Sequence, residues 1–220
     1  SYTWQFGIPG ASSTLRNPSF NYPTVGVYDV LLIVTSKDGC KDSISQQLSD
    51  VNPQPLANFN VSPTTVCLGA PFTFSDASNP LGQNITSWQW NFGNGATANS
   101  QNSTFTYSNA GTYNVAMFYT TAKGCLSDTV IKQVVVNPFP IVNAGPDLVV
   151  LAGGQVAIGA KATGSSNYQY NWQPATYLNN ASVLQPISSP TNDISYTLTV
   201  TGAGGCTGKD DVFIKILLAP

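Results

Sequence analysis

Apolar and polar residues alternate along most of the chain with a period of two, the spacing of half-buried strands. The clearest run is Trp88-Gln89-Trp90-Asn91-Phe92, stopped by Gly93-Asn94-Gly95. Tyr2, Trp4 and Phe6 alternate in the same way, and so do Tyr168, Tyr170 and Trp172. Each run predicts a strand with its rings on one face. Further strands are expected at Asn17–Tyr22, with Phe20 and Tyr22 on one face, at Val27–Thr35, and from Cys40 to about Leu48. The middle of the chain adds Ala57–Val61, Pro71–Ser75, the Phe105/Tyr107 run, Tyr113–Thr120 and Thr129–Val136. The last part adds Val149–Leu151, Val156–Ile158, Tyr196–Thr201 and Asp211–Leu217. Lys37-Asp38-Gly39-Cys40, Ala122-Lys123-Gly124-Cys125 and Gly204-Gly205-Cys206 read as hairpin turns. Asn52-Pro53-Gln54-Pro55 and Asn137-Pro138-Phe139-Pro140 read as stiff linkers, because proline biases its predecessor toward extended backbone.

These elements repeat. Trp4, Trp90 and Trp172 lie 86 and 82 residues apart, Tyr28, Tyr113 and Tyr196 lie 85 and 83 apart, and Cys40, Cys125 and Cys206 lie 85 and 81 apart. Three landmarks in one register mark an internal repeat. The expected organisation is a domain over 1–52, a second over 55–137 and a third over 140–218. Strand-rich domains of this length, with frequent turn signals, predict all-β antiparallel sandwiches in tandem. The first repeat starts in the middle of the pattern, as a fragment of a longer protein would. Its initial strands are missing, so an exposed sheet and an open edge are expected.

Composition narrows the setting. Charged residues make up 8% of the 220, against about 25% in ordinary soluble proteins. The polar surface is therefore built from Asn, Ser, Thr and Gln, which suits an extracellular β-protein. A net charge of −2 gives no handle for nucleic acid or an anionic membrane. No apolar run approaches the roughly 18–20 residues of a membrane span. With no histidine, the commonest general base and zinc ligand are missing. Asp210 and Asp211 are neighbours and point to opposite faces of a strand, which is poor geometry for a carboxylate pair. No phosphate-cradling loop is present. The reading is non-catalytic, with no cofactor and no metal.

Trp90-Asn91-Phe92-Gly93-Asn94-Gly95 resembles the Trp-Asp-Phe-Gly-Asp-Gly signature of polycystic kidney disease (PKD) domains. Phe105-x-Tyr107-x-x-x-Gly111-x-Tyr113-x-Val115 is similar to the strand pattern that follows it in that family. The first segment matches through Trp4-Gln5-Phe6-Gly7 and Phe20-x-Tyr22-x-x-x-Gly26-x-Tyr28-x-Val30. The third is more distant; Asn143-Ala144-Gly145-Pro146-Asp147 and Trp172-x-Pro174-Ala175-Thr176 resemble PKD-like repeats of Bacteroidetes surface proteins, including gliding-motility adhesins and other type 9 (type IX) secretion substrates. The resemblance implies immunoglobulin-like sandwiches acting as extracellular spacers or interaction modules at the cell surface. The partners it implies are neighbouring repeats of a longer chain and a surface glycan or protein, with no nucleic acid and no membrane insertion.

The shared register suggests roles for the cysteines. Cys67 and Cys125 are expected to form a disulfide inside the second repeat, closing a 58-residue loop for ~4 kcal/mol in the chain-entropy model. Cys40 is then unpaired because its partner would lie in the missing half of its repeat, and Cys206 is unpaired because Leu151 takes the place of Cys67. The alternative is four buried free thiols. Where family versions of the signature carry Asp, this chain has Gln5, Asn91 and Asn94, and amides bring no charge to calcium. Those asparagines are expected to serve the turn. Trp90, Phe92 and Trp172 are expected in the core. Trp88, at a strand start, and Tyr177, in a loop, stay open as contact residues of a glycan or protein site. Asn60, Asn84, Asn102 and Asn180 begin N-glycosylation sequons, which are mostly chance in so Asn- and Ser/Thr-rich a chain. Ser43 and Thr129, each after an Asp, resemble the O-glycosylation motif of exported Bacteroidetes proteins. Two functions compete: a spacer or stalk of adhesin-like repeats, or a glycan- or protein-binding module accessory to a secreted enzyme.

Overall fold

A computed structural model describes residues 1–51 and 54–218. Asn52 and Pro53 of the first expected linker lie outside them. The chain divides into two compact units. One holds Ser1–Asn58, Ser78–Trp88 and Phe118–Thr129; the other holds Phe59–Ala77, Gln89–Met117 and the chain from Val130 onward.

The fold is all-β. In the first repeat, β1 (Tyr2–Gln5), β2 (Ser12–Ser13), β3 (Gly26–Thr35) and β4 (Lys41–Val51) form one antiparallel sheet in the order β2-β1-β3-β4. Strand pairing puts Trp4 beside Leu32 and Leu32 beside Ile44, with Tyr28 beside Leu48. Trp4, Val30, Leu32, Ile44 and Leu48 line a shallow apolar cleft of about 290 Å³ on this face. Within residues 1–51 no second sheet covers it. The expected strand at Asn17–Tyr22 is not formed. The reason is visible in the second repeat, where β10 (Ser103–Phe105) holds the matching position and pairs with β7 (Phe72–Asp76). Residues 1–51 contain no counterpart of β7, so the backbone at 17–22 has no edge to join.

The second repeat also contains β5 (Phe59–Ser62), β6 (Thr65–Cys67), β8 (Ile85–Asn91), β9 (Thr97–Ala98), β11 (Gly111–Thr121) and β12 (Val130–Asn137). A three-stranded sheet runs β10-β7-β5 and a five-stranded sheet β6-β12-β11-β8-β9. Strands β8 and β11 contribute residues to both units. In the second unit Phe59, Phe72 and Phe74 are fully buried. Phe59 meets the Trp90 ring edge-on at 5.1 Å, and Phe74 lies 5.4 Å from Phe92. In the first unit, Leu56 pairs with Asn79, and the buried Tyr119 donates its hydroxyl to the Asn79 carbonyl at 3.1 Å.

The third repeat carries β13 (Ile141–Asn143), β14 (Leu148–Leu151), β15 (Val156–Ala157), β16 (Lys161–Thr163), β17 (Gln169–Gln173), β18 (Ile187–Ser188), β19 (Ile194–Thr201) and β20 (Thr207–Leu217). Its main sheet runs β14-β20-β19-β17, and two ribbons, β13·β16 and β15·β18, supply the other strands. The core is built on Trp172, Tyr196, Leu198, Ile158 and Ile214. In both complete repeats the early strand beside the last one runs parallel to it, β6 along β12 and β14 along β20.

Candidate functional site

The recurring aromatics form a structural device, repeated in detail. Each indole donates to a carbonyl ten or eleven residues on: Trp4 to Leu15 at 3.1 Å, Trp90 to Ser100 at 2.8 Å and Trp172 to Val183 at 3.0 Å. Trp90, Phe92 and Trp172 are at most 2% exposed, as a core strand requires. Four rings then stack in the first two repeats. Phe6 stacks on Phe20 (4.3 Å), Phe20 meets Tyr22 edge-on (5.0 Å), and Tyr22 stacks on Tyr28 (4.2 Å). Phe92, Phe105, Tyr107 and Tyr113 follow the same sequence of geometries at 4.2, 4.8 and 3.8 Å. The outermost tyrosine closes a turn: Tyr28 donates to the Thr24 carbonyl and Tyr113 to that of Asn109, both at 2.8 Å. The glycine after each Trp-x-Phe run permits this packing. A Cβ on Gly93 (φ +77°) would lie 2.6 Å from the Asn114 carbonyl oxygen, and one on Gly7 (φ +73°) 3.0 Å from Asp29 backbone.

The signature asparagines act as turn residues. Asn91 Oδ1 accepts from Gly93 N at 2.9 Å and Asn94 Oδ1 from Ala96 N at 3.1 Å, closing two local turns. Among the described residues no cluster of three His, Cys, Asp or Glu side chains could hold a metal ion. Asn180 also closes a local turn, accepting from Ser182 N, and Asn102 accepts from Asp76 N, 26 residues earlier in the chain. Ser43 and Thr129 are both exposed.

Two carboxylates have a role that the sequence pattern did not disclose. Asp128 Oδ1 accepts from Ala57 N at 2.7 Å, and Asp210 Oδ2 accepts from Ala144 N at 2.8 Å. Each ties the last strand region of its repeat to the segment that opens it. Asp42, at the matching place in the first repeat, accepts from its own neighbour Ser43 N instead. The signal was present in the matched spacing of Asp42, Asp128 and Asp210, but its meaning needs the opening strand.

Trp172 is buried against Tyr196, and Tyr168 and Tyr170 pack on the third core. Trp88 is half-buried in the first unit. Tyr177, in the second, is 37% exposed, has left-handed backbone (φ +66°) and accepts a 2.6 Å hydrogen bond from Thr191 Oγ1.

The disulfide differs from expectation. Cys67 bonds Cys206, 139 residues on, and Cys125 and Cys40 are free thiols. The expected Cys67–Cys125 bond and the unpaired Cys206 are both overturned. Cys67 sits opposite Asn137, the last residue of β12, whereas Cys125 precedes the first residue of that eight-residue strand. At about 3.3 Å per residue, the strand alone separates Cys67 from its start by far more than the 4.4–6.8 Å Cα spacing of a disulfide. The last hairpin of a repeat instead faces the repeat before it. Ala122 and Lys123 line a cleft with Val25 of the first repeat, as Cys206 meets Cys67 of the second.

Burial, and then the neighbouring Tyr113, push the Tyr107 phenol from 10.0 up to about 12. Tyr107 donates to the Phe92 carbonyl at 2.6 Å, a bond that only the protonated phenol makes. Because the folded value lies above the unfolded one, this contribution to stability is complete below about pH 10 and is lost as pH rises toward 12. A tyrosinate absorbance titration of the folded chain is expected to show a late-ionising group that disappears in Tyr107→Phe. Ionisation of every tyrosine near pH 10 in the folded chain would contradict it.

What fold and site define is a module class: an antiparallel β-sandwich whose recurrent residues serve packing and turns. The PKD domain family matches residues 52–136. The PKD1 domain of the Vibrio cholerae metalloprotease PrtV is 31% identical, the match covering 38% of this chain and 98% of that domain with a TM-score of 0.34. The PKD1 domain of Vibrio anguillarum Epp is 29% identical over 39% of this chain and 99% of that domain, also at 0.34. The chain belongs to the PKD domain family.

Proposed function

We propose that this chain is a non-catalytic run of extracellular sandwiches, bounded near 1–52, 55–137 and 140–218, that spaces or presents other parts of a bacterial surface protein. The observation that carries the reading is the recurrence of the indole-to-carbonyl bond in all three repeats while the polar residues between the rings drift. Residues kept from repeat to repeat serve the frame. A disulfide supports an oxidising, extracellular setting, and among the described residues no helix is long and apolar enough to cross a membrane. The sequence resemblance extends the reading to adhesin-like, type 9-secreted proteins of Bacteroidetes. A second reading, a binding module accessory to an enzyme, has one observation in its favour: the Vibrio cholerae relative is a domain of a metalloprotease. Small-angle scattering joined to a glycan array separates the two. The spacer reading expects an elongated particle and an array at background. Array binding that disappears in Trp88→Ala or Tyr177→Ala would replace it with the second.

A further inference from the structure

We propose that the Cys67–Cys206 disulfide is an inter-repeat clamp: it holds the second and third sandwiches in one orientation and routes a pulling force past the chain between them. The orientation half stands on the geometry of the junction. Cys67 ends β6, and the next amide, Leu68 N, donates to the Asn137 carbonyl at 2.9 Å. Asn137 ends β12, and the third sandwich begins at Ile141, so only three residues connect them. Cys206 closes a tight turn over Ala203–Gly205, with Gly202 N donating to its carbonyl at 2.8 Å.

That turn is pressed onto the connection. A Cβ on Gly204 would lie 2.3 Å from Asn137 Nδ2, and one on Gly208 would lie 2.3 Å from the Pro140 carbonyl oxygen. Asn137 is 9% exposed and Cys206 1%. The bond therefore crosses a junction that is already packed, at a second point on each sandwich. One covalent connection leaves two bodies free to pivot. A second connection beside it removes the pivot.

The mechanical half rests on the spacer reading, since only a chain held at both ends bears load. Cysteines 139 residues apart enclose most of the second sandwich and the third up to its last strand, β20. Force applied at the termini crosses the sulfur–sulfur bond and bypasses that loop. At roughly 3.5 Å per residue, the bond withholds on the order of 480 Å of extended chain.

Two measurements on the whole chain test this. In 15N relaxation, amides of the second and third sandwiches are expected to share one rotational correlation time with the bond intact. After treatment with a dithiol, or in Cys206→Ser, they should separate into two. The dithiol supplies two electrons and two protons, becomes a cyclic disulfide, and leaves both cysteines as thiols. A shared correlation time that persists without the bond overturns the orientation half. In single-molecule pulling, which does not need the reduced chain to be folded, the extra length should appear only with dithiol in the bath. Release of the full contour from the oxidised chain overturns the force bypass. A compact particle or a glycan hit would sink the spacer reading and leave the relaxation result standing.

Discussion

Reducing the Cys67–Cys206 bond is expected to lower the unfolding free energy of the region it encloses by ~5 kcal/mol, the chain-entropy figure for a loop of this length. The separation is 139 residues, and the penalty arises in the unfolded state, which regains the freedom the cross-link removed. Urea melts with and without dithiol measure it as a drop in midpoint. Cys125→Ser and Cys40→Ser should leave the oxidised melt unchanged, because both thiols are free. Coincident melts in the two redox states would refute the entropic account. Size alone cannot distinguish this bond from the one expected on sequence grounds. Closure entropy grows only with the logarithm of loop length, so loops of 58 and 139 residues differ by less than ~1 kcal/mol. Peptide mapping under non-reducing conditions makes that distinction, and it should recover a Cys67–Cys206 pair.

How much the sequence disclosed depended on how local the cause was. Alternation is set by neighbouring residues, so Trp90, Phe92 and Trp172 could be placed in a core before any partner strand was known. The turn role of Asn91 and Asn94 is local in the same way. The disulfide is not. Matching Cys206 to Cys125 correctly put both in hairpins, but it invited pairing within a repeat. The pairing depends on which end of a sandwich the hairpin faces, and no spacing encodes that. Residues 17–22 failed for a related reason. Phe20 and Tyr22 keep their stack against Phe6 and Tyr28, which needs only the ring sequence. A strand needs an adjacent edge, and residues 1–51 provide none there. The carboxylate ties of Asp128 and Asp210 were equally hidden, since each joins residues 66 or more apart.

Trp90→Ala and Trp172→Ala each empty a site that is at most 2% exposed, and each should cost ~3–5 kcal/mol, as for other buried aromatic truncations. Trp4 occupies the matching position and makes the matching indole bond, yet it is only half-buried and lines the open cleft of the first sheet. Trp4→Ala should therefore cost only about 1–2 kcal/mol, the sum of one hydrogen bond and partial burial. Chemical denaturation of the three variants reads the contrast directly. The Trp90 result depends on Phe59 and Phe74 lying across its ring, and residues 1–51 carry no such layer over Trp4. A Trp4→Ala cost equal to that of Trp90→Ala would mean the face over Val30, Leu32 and Ile44 is covered in solution. A small cost would show that this face is open and that, without a second sheet over it, the indole bond and partial burial of Trp4 contribute little.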